Sequence, residues 1–221
     1  MMNIIFIAPP AAGKGTQSSL LEEKYEYKHI STGDLLRNEI NKKSDFGNEI
    51  ESIISKGELV SDDIITKLLK NELENIKHQK FILDGYPRNL RQAEILNELF
   101  NELNIENYVT IYLSLDNEIA MKRALGRVVC TKCGASYNKY FQNLMPKENG
   151  ICDKCRSELV VRTDDNEETF KNRFDTFLNA TNPVLDFYKE KNKLSIVDAN
   201  QNTEEIFKNI EEILAGEDVN N

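Results

Sequence analysis

The sequence predicts an α/β protein in which helices cover both faces of a parallel sheet. Three observations predict it. Short apolar runs recur at Asn3–Ile7, 80–83, 108–113 and 194–197, with a briefer one at 29–30. Stretches with apolar residues at helical spacing separate these runs, and strand alternating with helix calls for crossovers and therefore parallel strands. The opening run also leads straight into a loop ending Gly13-Lys14-Gly15-Thr16, the junction of a strand, a turn and a helix start.

The elements follow in order. Asn3–Ile7 is nearly continuous in Ile and Phe, the composition of a strand buried on both faces. A helix is expected from about Lys14. Segment 31–60 is helical but polar and interrupts the alternation early. Ser61 is placed to cap a helix whose Ile64, Ile65, Leu68 and Leu69 share one face. Ala93, Leu96, Phe100 and Leu103 make a second stripe after the next strand. Segment 126–165 breaks the alternation again and holds all four cysteines, with Tyr137, Tyr140 and Phe141 between the pairs. Thr203 then precedes Ile206, Ile210, Ile213 and Leu214 in a last helix. All these stripes read as core packing, and the tail 216–221 as frayed.

With 221 residues the chain can bury a sizeable core, as one domain with small insertions. No apolar run approaches the roughly 20 residues of a membrane span. Residues 4–7 lack a basic flank and are too few for a secretory signal, so the reading is a cytoplasmic protein without a membrane partner. A net charge of −9 argues against nucleic acid as the main partner. No broad exposed apolar face is evident, which favours a monomer. Arginine is scarce, 8 against 20 lysines, and six of the eight (Arg37, Arg88, Arg91, Arg127, Arg162, Arg173) fall in the motifs below, with Arg123 three residues before one of them. Arginine is the residue for planar, two-pronged phosphate contacts.

In the first loop, the amides from Ala12 to Thr16 would converge at a helix N-terminus, which attracts anions. Lys14 would reach the outer phosphates, and Thr16 would sit near magnesium. Gly15 departs from the general pattern, in which Ser or Thr follows the lysine directly. Ala8 and Ala11 stand where such loops usually have glycine. If both needed a left-handed backbone, each would cost about 1–2 kcal/mol. Pro9 and Pro10 offset part of that by restricting the unfolded loop. The amides remain, so phosphate binding is expected to survive.

Further motifs are Ser31-Thr-Gly-Asp-Leu-Leu-Arg37, Leu83-Asp-Gly-Tyr-Pro-Arg-Asn-Leu-Arg-Gln92, Gly126-Arg-Val-Val-Cys130 and the stretch from Arg162 to Arg173. Together with the first loop they make the chain resemble the adenylate kinases of the long-lid type, nearly end to end. The resemblance implies a P-loop nucleoside monophosphate kinase fold with a five-stranded parallel sheet. The core would comprise 1–30, 61–125 and 166–221, with an NMP-binding insert at 31–60 and a lid at 126–165. It implies magnesium-dependent phosphoryl transfer from ATP to AMP, giving two ADP. ATP would lie on Ala11, Ala12, Gly13, Lys14, Gly15 and Thr16, with Arg127, Ser136, Tyr137 and, through backbone, Gln201 near the base and ribose. AMP would lie against Thr32, Arg37, Glu58, Leu59, Val60, Gly85, Tyr86, Pro87, Arg88 and Gln92. Arg123, Arg162 and Arg173 would gather with Lys14 and Arg88 around the phosphates being exchanged, and Asp84 would hold a water of the magnesium shell. Tyr86 replaces a common phenylalanine.

This chemistry suits the residues, because phosphoryl transfer is mostly positioning and charge stabilisation. Gln92 can offer a donor and an acceptor to an adenine edge. Neither histidine, His29 nor His78, sits in a motif. Cys130-x-x-Cys133 and Cys152-x-x-Cys155 lie eighteen residues apart, the spacing of a four-cysteine zinc site. Such an ion would staple a flap too small to build its own core. Two other readings stay open here: a kinase for UMP/CMP or GMP, and a nucleic-acid-binding zinc ribbon joined to a nucleotide switch, the latter opposed by the acidic charge.

Overall fold

The structure, a computed structural model, describes residues 2–56, 60–76 and 79–216. The chain runs β1 (Asn3–Ile7), α1 (Lys14–Tyr25), β2 (Lys28–Ser31), α2 (Thr32–Asn41), α3 (Asp45–Ile54), α4 (Asp62–Asn75), β3 (Phe81–Asp84), α5 (Leu90–Glu102), β4 (Tyr108–Ser114) and α6 (Asn117–Gly126). A small antiparallel unit of β5 (Arg127–Cys130), β6 (Ser136–Asn138) and β7 (Leu159–Val160) follows. The chain returns through α7 (Glu167–Thr176), a π-helical segment Phe177–Thr181, α8 (Asn182–Glu190), β8 (Leu194–Asp198) and α9 (Thr203–Ala215).

Five strands form one parallel sheet in the order β2-β3-β1-β4-β8. Alternation along β1 explains the two-faced core. Ile5 and Ile7 pack with Leu83, Leu96, Phe100 and Tyr188 on one side of the sheet. Ile4 and Phe6 pack with Leu21, Ile111, Ile206 and Ile210 on the other. Each such buried side chain stabilises the fold by about 1.5–3 kcal/mol, so the central strand tolerates little polarity.

The strands fall where the apolar runs predict them, with shifts of one residue. The run at 80–83 becomes Phe81–Asp84, and parallel pairing of Phe6 with Asp84 carries the carboxylate to the same sheet edge as the first loop. Ser61 stands at the N-cap of α4, but its hydroxyl makes no capping bond. Asp62 and Asp63 in the first turn complement the helix dipole instead. Segment 31–60 supplies α2 and α3, and its far end leans on α7. Thr169 Oγ1 donates to the Ser55 carbonyl and Asn172 Nδ2 to that of Lys56, each at 3.3 Å. No helix among the described residues is long and apolar enough to cross a membrane.

Candidate active site

Three strand ends build the site. In a parallel sheet every strand points its carboxyl end the same way, and ligands bind beyond that edge. β1 delivers the loop before α1, β2 delivers Thr32, and β3 delivers residues 84–88.

The first loop turns through two left-handed residues, Ala11 at φ 63° and Gly13 at φ 94°. Ala8 is not in that region, so the expected strain falls on Ala11 alone. α1 has neither a capping side chain nor an acidic residue in its first turn. Its first intrahelical bond runs from the Gln17 amide to the Gly13 carbonyl. The amides of Gly13 to Thr16 are therefore left for an anion, while that of Ala12 donates to the Pro9 carbonyl at 3.4 Å and would exchange that bond for one to phosphate.

Lys14 Nζ lies 3.4 Å from the Ala8 carbonyl and 3.9 Å from Asp84 Oδ1. Burial pushes Lys14 down to about 8, opposed by Asp84 and assisted by Arg88, Arg173 and Arg127. Burial alone would raise Asp84, but Lys14, His29 and Arg88 outweigh it and hold the carboxyl at about 2. Arg88 donates through Nε to the Gly85 carbonyl at 2.8 Å and is lowered to about 10 by burial and by Arg173. Arg173 donates to Asp164 at 2.8 Å. Arg127 grips Asp165 through two nitrogens, Nε at 2.7 Å. Burial, Arg127 and Arg37 lower Arg162 to about 10. Cations crowded enough to depress one another suit the binding of a polyanion.

Arg123 stands to one side. It donates to the Ala199 carbonyl at 2.9 Å, and its guanidinium lies 5.6 Å from the Phe141 ring centre. Ser136 is exposed. The Tyr137 hydroxyl accepts from the Asp153 amide at 2.9 Å and lies 3.5 Å from Cys152 Sγ, so this side chain belongs to the cysteine cluster. Gln201 accepts through Oε1 from Asn209 Nδ2 at 3.1 Å.

A second cleft is lined by Thr32, Arg37, Val60, Gly85, Arg88, Gln92 and Arg173. Gly85 has φ 87°, and a Cβ there would come within 2.6 Å of Thr32 Oγ1, so glycine is required. Pro87 borders the neighbouring hollow with Lys14 and Arg88. Tyr86 is buried, its hydroxyl 2.9 Å from Thr66 Oγ1. Gln92 is also buried; its Oε1 accepts from the Arg88 amide at 2.7 Å and its Nε2 donates to Asp62 at 2.8 Å. One lone pair and one hydrogen of that amide remain for a ligand. Glu58 and Leu59 lie outside the described residues, as does His78.

The four cysteines meet between the β5 and β7 turns. Cys130 and Cys155 sulfurs are 3.3 Å apart, those of Cys133 and Cys152 3.6 Å, and all four lie within 4.8 Å of one another. Tetrahedral thiolates about 2.3 Å from one ion would be about 3.8 Å apart, so the cluster fits a metal centre.

The sequence reading passed over His29. Its Nε2 lies 3.4 Å from Asp84 Oδ2, an ion pair rather than an aligned hydrogen bond. Parallel pairing of His29 with Ile82 puts it beside the β3 end; no local motif signals that. Asp62, Asp164 and Asp165 were also given no role. Their partners lie 9 to 38 residues away, a separation without local pattern.

Comparison with known proteins agrees with this geometry. The adenylate kinase family model matches residues 6–193. An adenylate kinase from Hydrogenobaculum sp. (strain Y04AAS1) is 40% identical over 213 residues, covering 96% of this chain and 100% of the relative. One from Thermosipho melanesiensis is 41% identical over 214 residues, covering 96% and 99%. One from Archaeoglobus fulgidus is 42% identical over 214 residues, covering 96% and 98%.

Proposed function

The chain belongs to the adenylate kinase family, and from that premise we propose how its own residues carry the reaction ATP + AMP → 2 ADP. It is a nucleoside monophosphate phosphotransferase. The observation that carries the residue assignment is the convergence of Lys14, Arg88 and Arg173 on one hollow at the sheet edge, with Asp84 beside Lys14.

In this reading the amides of Ala12 to Thr16 and the Lys14 ammonium hold the ATP polyphosphate. Arg88 and Arg173 hold the AMP phosphate, and Arg162 and Arg127 add positive charge between the two. An oxygen of the AMP phosphate forms the new bond to the γ-phosphorus as the bond from that phosphorus to the β–γ bridging oxygen breaks. The attacking oxygen is already ionised, so no general base is needed. Positioning and cationic side chains carry the catalysis. Magnesium bound with ATP would offset charge on the transferring group, with Asp84 and Thr16 as the residues suited to hold its waters. Asp84 suits this because its neighbours keep it ionised at neutral pH.

Gln92, Thr32, Arg37 and Val60, with Glu58 and Leu59, are the residues we assign to AMP. Gly85, Tyr86 and Pro87 shape the same wall. The resemblance implies Arg123 for the phosphates and Arg127 for the ATP base; we assign them the other way round. Arg123, with Gln201 and the Ser136–Tyr137 backbone, goes to the base because it lies beside Phe141, and Arg127 to the phosphates because its charge acts on Lys14. We assign residues 31–60 to an AMP-binding insert and 126–165 to a lid that excludes water from the transfer. Zinc is the metal we assign to Cys130, Cys133, Cys152 and Cys155, since four clustered thiols favour a soft, tetrahedral ion. Its role there is to staple the lid. A monomer in the cytoplasm, without a nucleic-acid partner, is consistent with the net charge of −9.

The test is direct. Purified protein mixed with ATP, AMP and magnesium should form two ADP per AMP consumed. Faster turnover with UMP, CMP or GMP would displace AMP as the acceptor.

A further inference from the structure

We infer that Asp62 is a positioning residue that sets which purine the acceptor site reads, by fixing the Gln92 side-chain amide in one of its two orientations. The inference rests on the assignment of Gln92 to the acceptor base.

The Gln92 amide is buried between two partners that each have only one hydrogen-bonding role. On one side is the Arg88 backbone N–H, which can only donate, 2.7 Å from Oε1. On the other is the Asp62 carboxylate, which can only accept, 2.8 Å from Nε2. A flipped amide would set donor against donor and acceptor against acceptor, in a place water reaches poorly. The same Asp62 oxygen accepts from Asn89 Nδ2 at 3.1 Å. Asn89 in turn caps α5 by accepting the Gln92 backbone N–H at 2.8 Å. Asp62 therefore aligns both the side chain and the backbone of Gln92. It is the first residue of α4, where the helix dipole favours its negative charge.

The locked amide presents an oxygen lone pair and an N–H in one fixed order. An adenine edge answers that order with its N6 amino donor and N1 acceptor. A 6-oxopurine presents the reverse, a carbonyl at position 6 and an N–H at N1. It could pair only with a flipped amide, and the flip costs both fixed contacts. Selectivity between these bases thus resides partly in a carboxylate that does not itself touch the nucleotide.

The experiment compares AMP with inosine monophosphate as acceptors for the wild type, Asp62→Leu, Asp62→Asn and Gln92→Leu, with kcat and KM determined separately. Asp62→Leu should lower the AMP/IMP ratio of kcat/KM by about tenfold, the scale of one bidentate base contact. Asp62→Asn replaces the acceptor-only carboxylate with an amide that can also donate, so it should lower the ratio by less than Asp62→Leu does. Equal losses for both acceptors in Asp62→Leu, leaving the ratio unchanged, would overturn the inference. If Asp62→Leu fails to fold, a lower AMP/IMP ratio in Asp62→Asn supports the inference, and an unchanged ratio overturns it. Gln92→Leu separates the two layers: if it leaves the ratio untouched, Gln92 does not read the base. If it collapses the ratio while the Asp62 variants do not, only the role of Asp62 is lost.

Discussion

His29 Nε2 lies 3.4 Å from Oδ2 of Asp84, while Lys14 Nζ approaches the other oxygen of the same carboxylate at 3.9 Å. The carboxylate is thus held from two sides, by an imidazole and by an ammonium. Burial lowers the His29 pKa, but Asp84, Glu22 and Asp34 together raise it above the ordinary 6.5. A raised folded-state value means that the stabilisation is full below 6.5 and is lost as pH climbs through the raised value.

His29→Leu should therefore change the slope of stability with pH. Measured by thermal melting, the wild type should lose stability relative to the variant as pH climbs from about 6.5 through the raised His29 value. Parallel curves would mean that folding leaves the His29 pKa unshifted.

Lys14→Met should lower kcat about 10²–10³-fold, the usual loss when one group that stabilises a developing charge is removed. The nucleotide-free protein should not suffer in the same way. Lys14 is lowered to about 8 from 10.5, so the unfolded chain binds more protons between those values. The wild type should then gain stability relative to Lys14→Met as pH rises from about 8 to about 10.5, with the variant ahead below that window. Thermal melts without nucleotide check the sign.

Ala11 and Ala8 should answer differently to glycine. Ala11 has φ 63°, and Ala11→Gly removes about 1–2 kcal/mol of left-handed strain at some cost in unfolded-chain entropy. It should raise stability by about 0.5–1 kcal/mol and leave ATP affinity equal or better. Ala8→Gly has no such strain to relieve and should lose about 0.4–1 kcal/mol. Chemical denaturation and nucleotide titration of both variants distinguish the two; a large loss of ATP affinity in Ala11→Gly would mean the loop does not cradle phosphate.

Chelation should lower the melting temperature before it abolishes phosphotransfer, because the cysteine cluster lies in the antiparallel unit away from Lys14 and Arg88. Metal analysis of the purified protein, with melting and activity followed through a chelator series, provides the check. Protein without bound metal, unchanged by chelator, would remove the staple.

Thr169→Val should raise the KM for AMP a few-fold with little change in the KM for ATP, since it deletes the hydrogen bond that ties the end of the 31–60 insert to α7. Steady-state kinetics with each nucleotide varied in turn tests it.

Apolar periodicity alone determined the parallel, doubly covered sheet, because a strand buried on both faces and a helix buried on one leave different repeats in the chain. Residue chemistry marked the phosphate loop, the arginines and the paired cysteines, since each motif is compact enough to be read in one stretch. Tertiary structure decided what joins distant segments: His29 against Asp84, Asp62 against Gln92, Arg127 against Asp165. It also decided that Ala11 bears the loop strain and Ala8 does not. Such pairings depend on strand order and helix placement, and the free energy of a contact across the sheet edge leaves no periodic trace in the residues that make it.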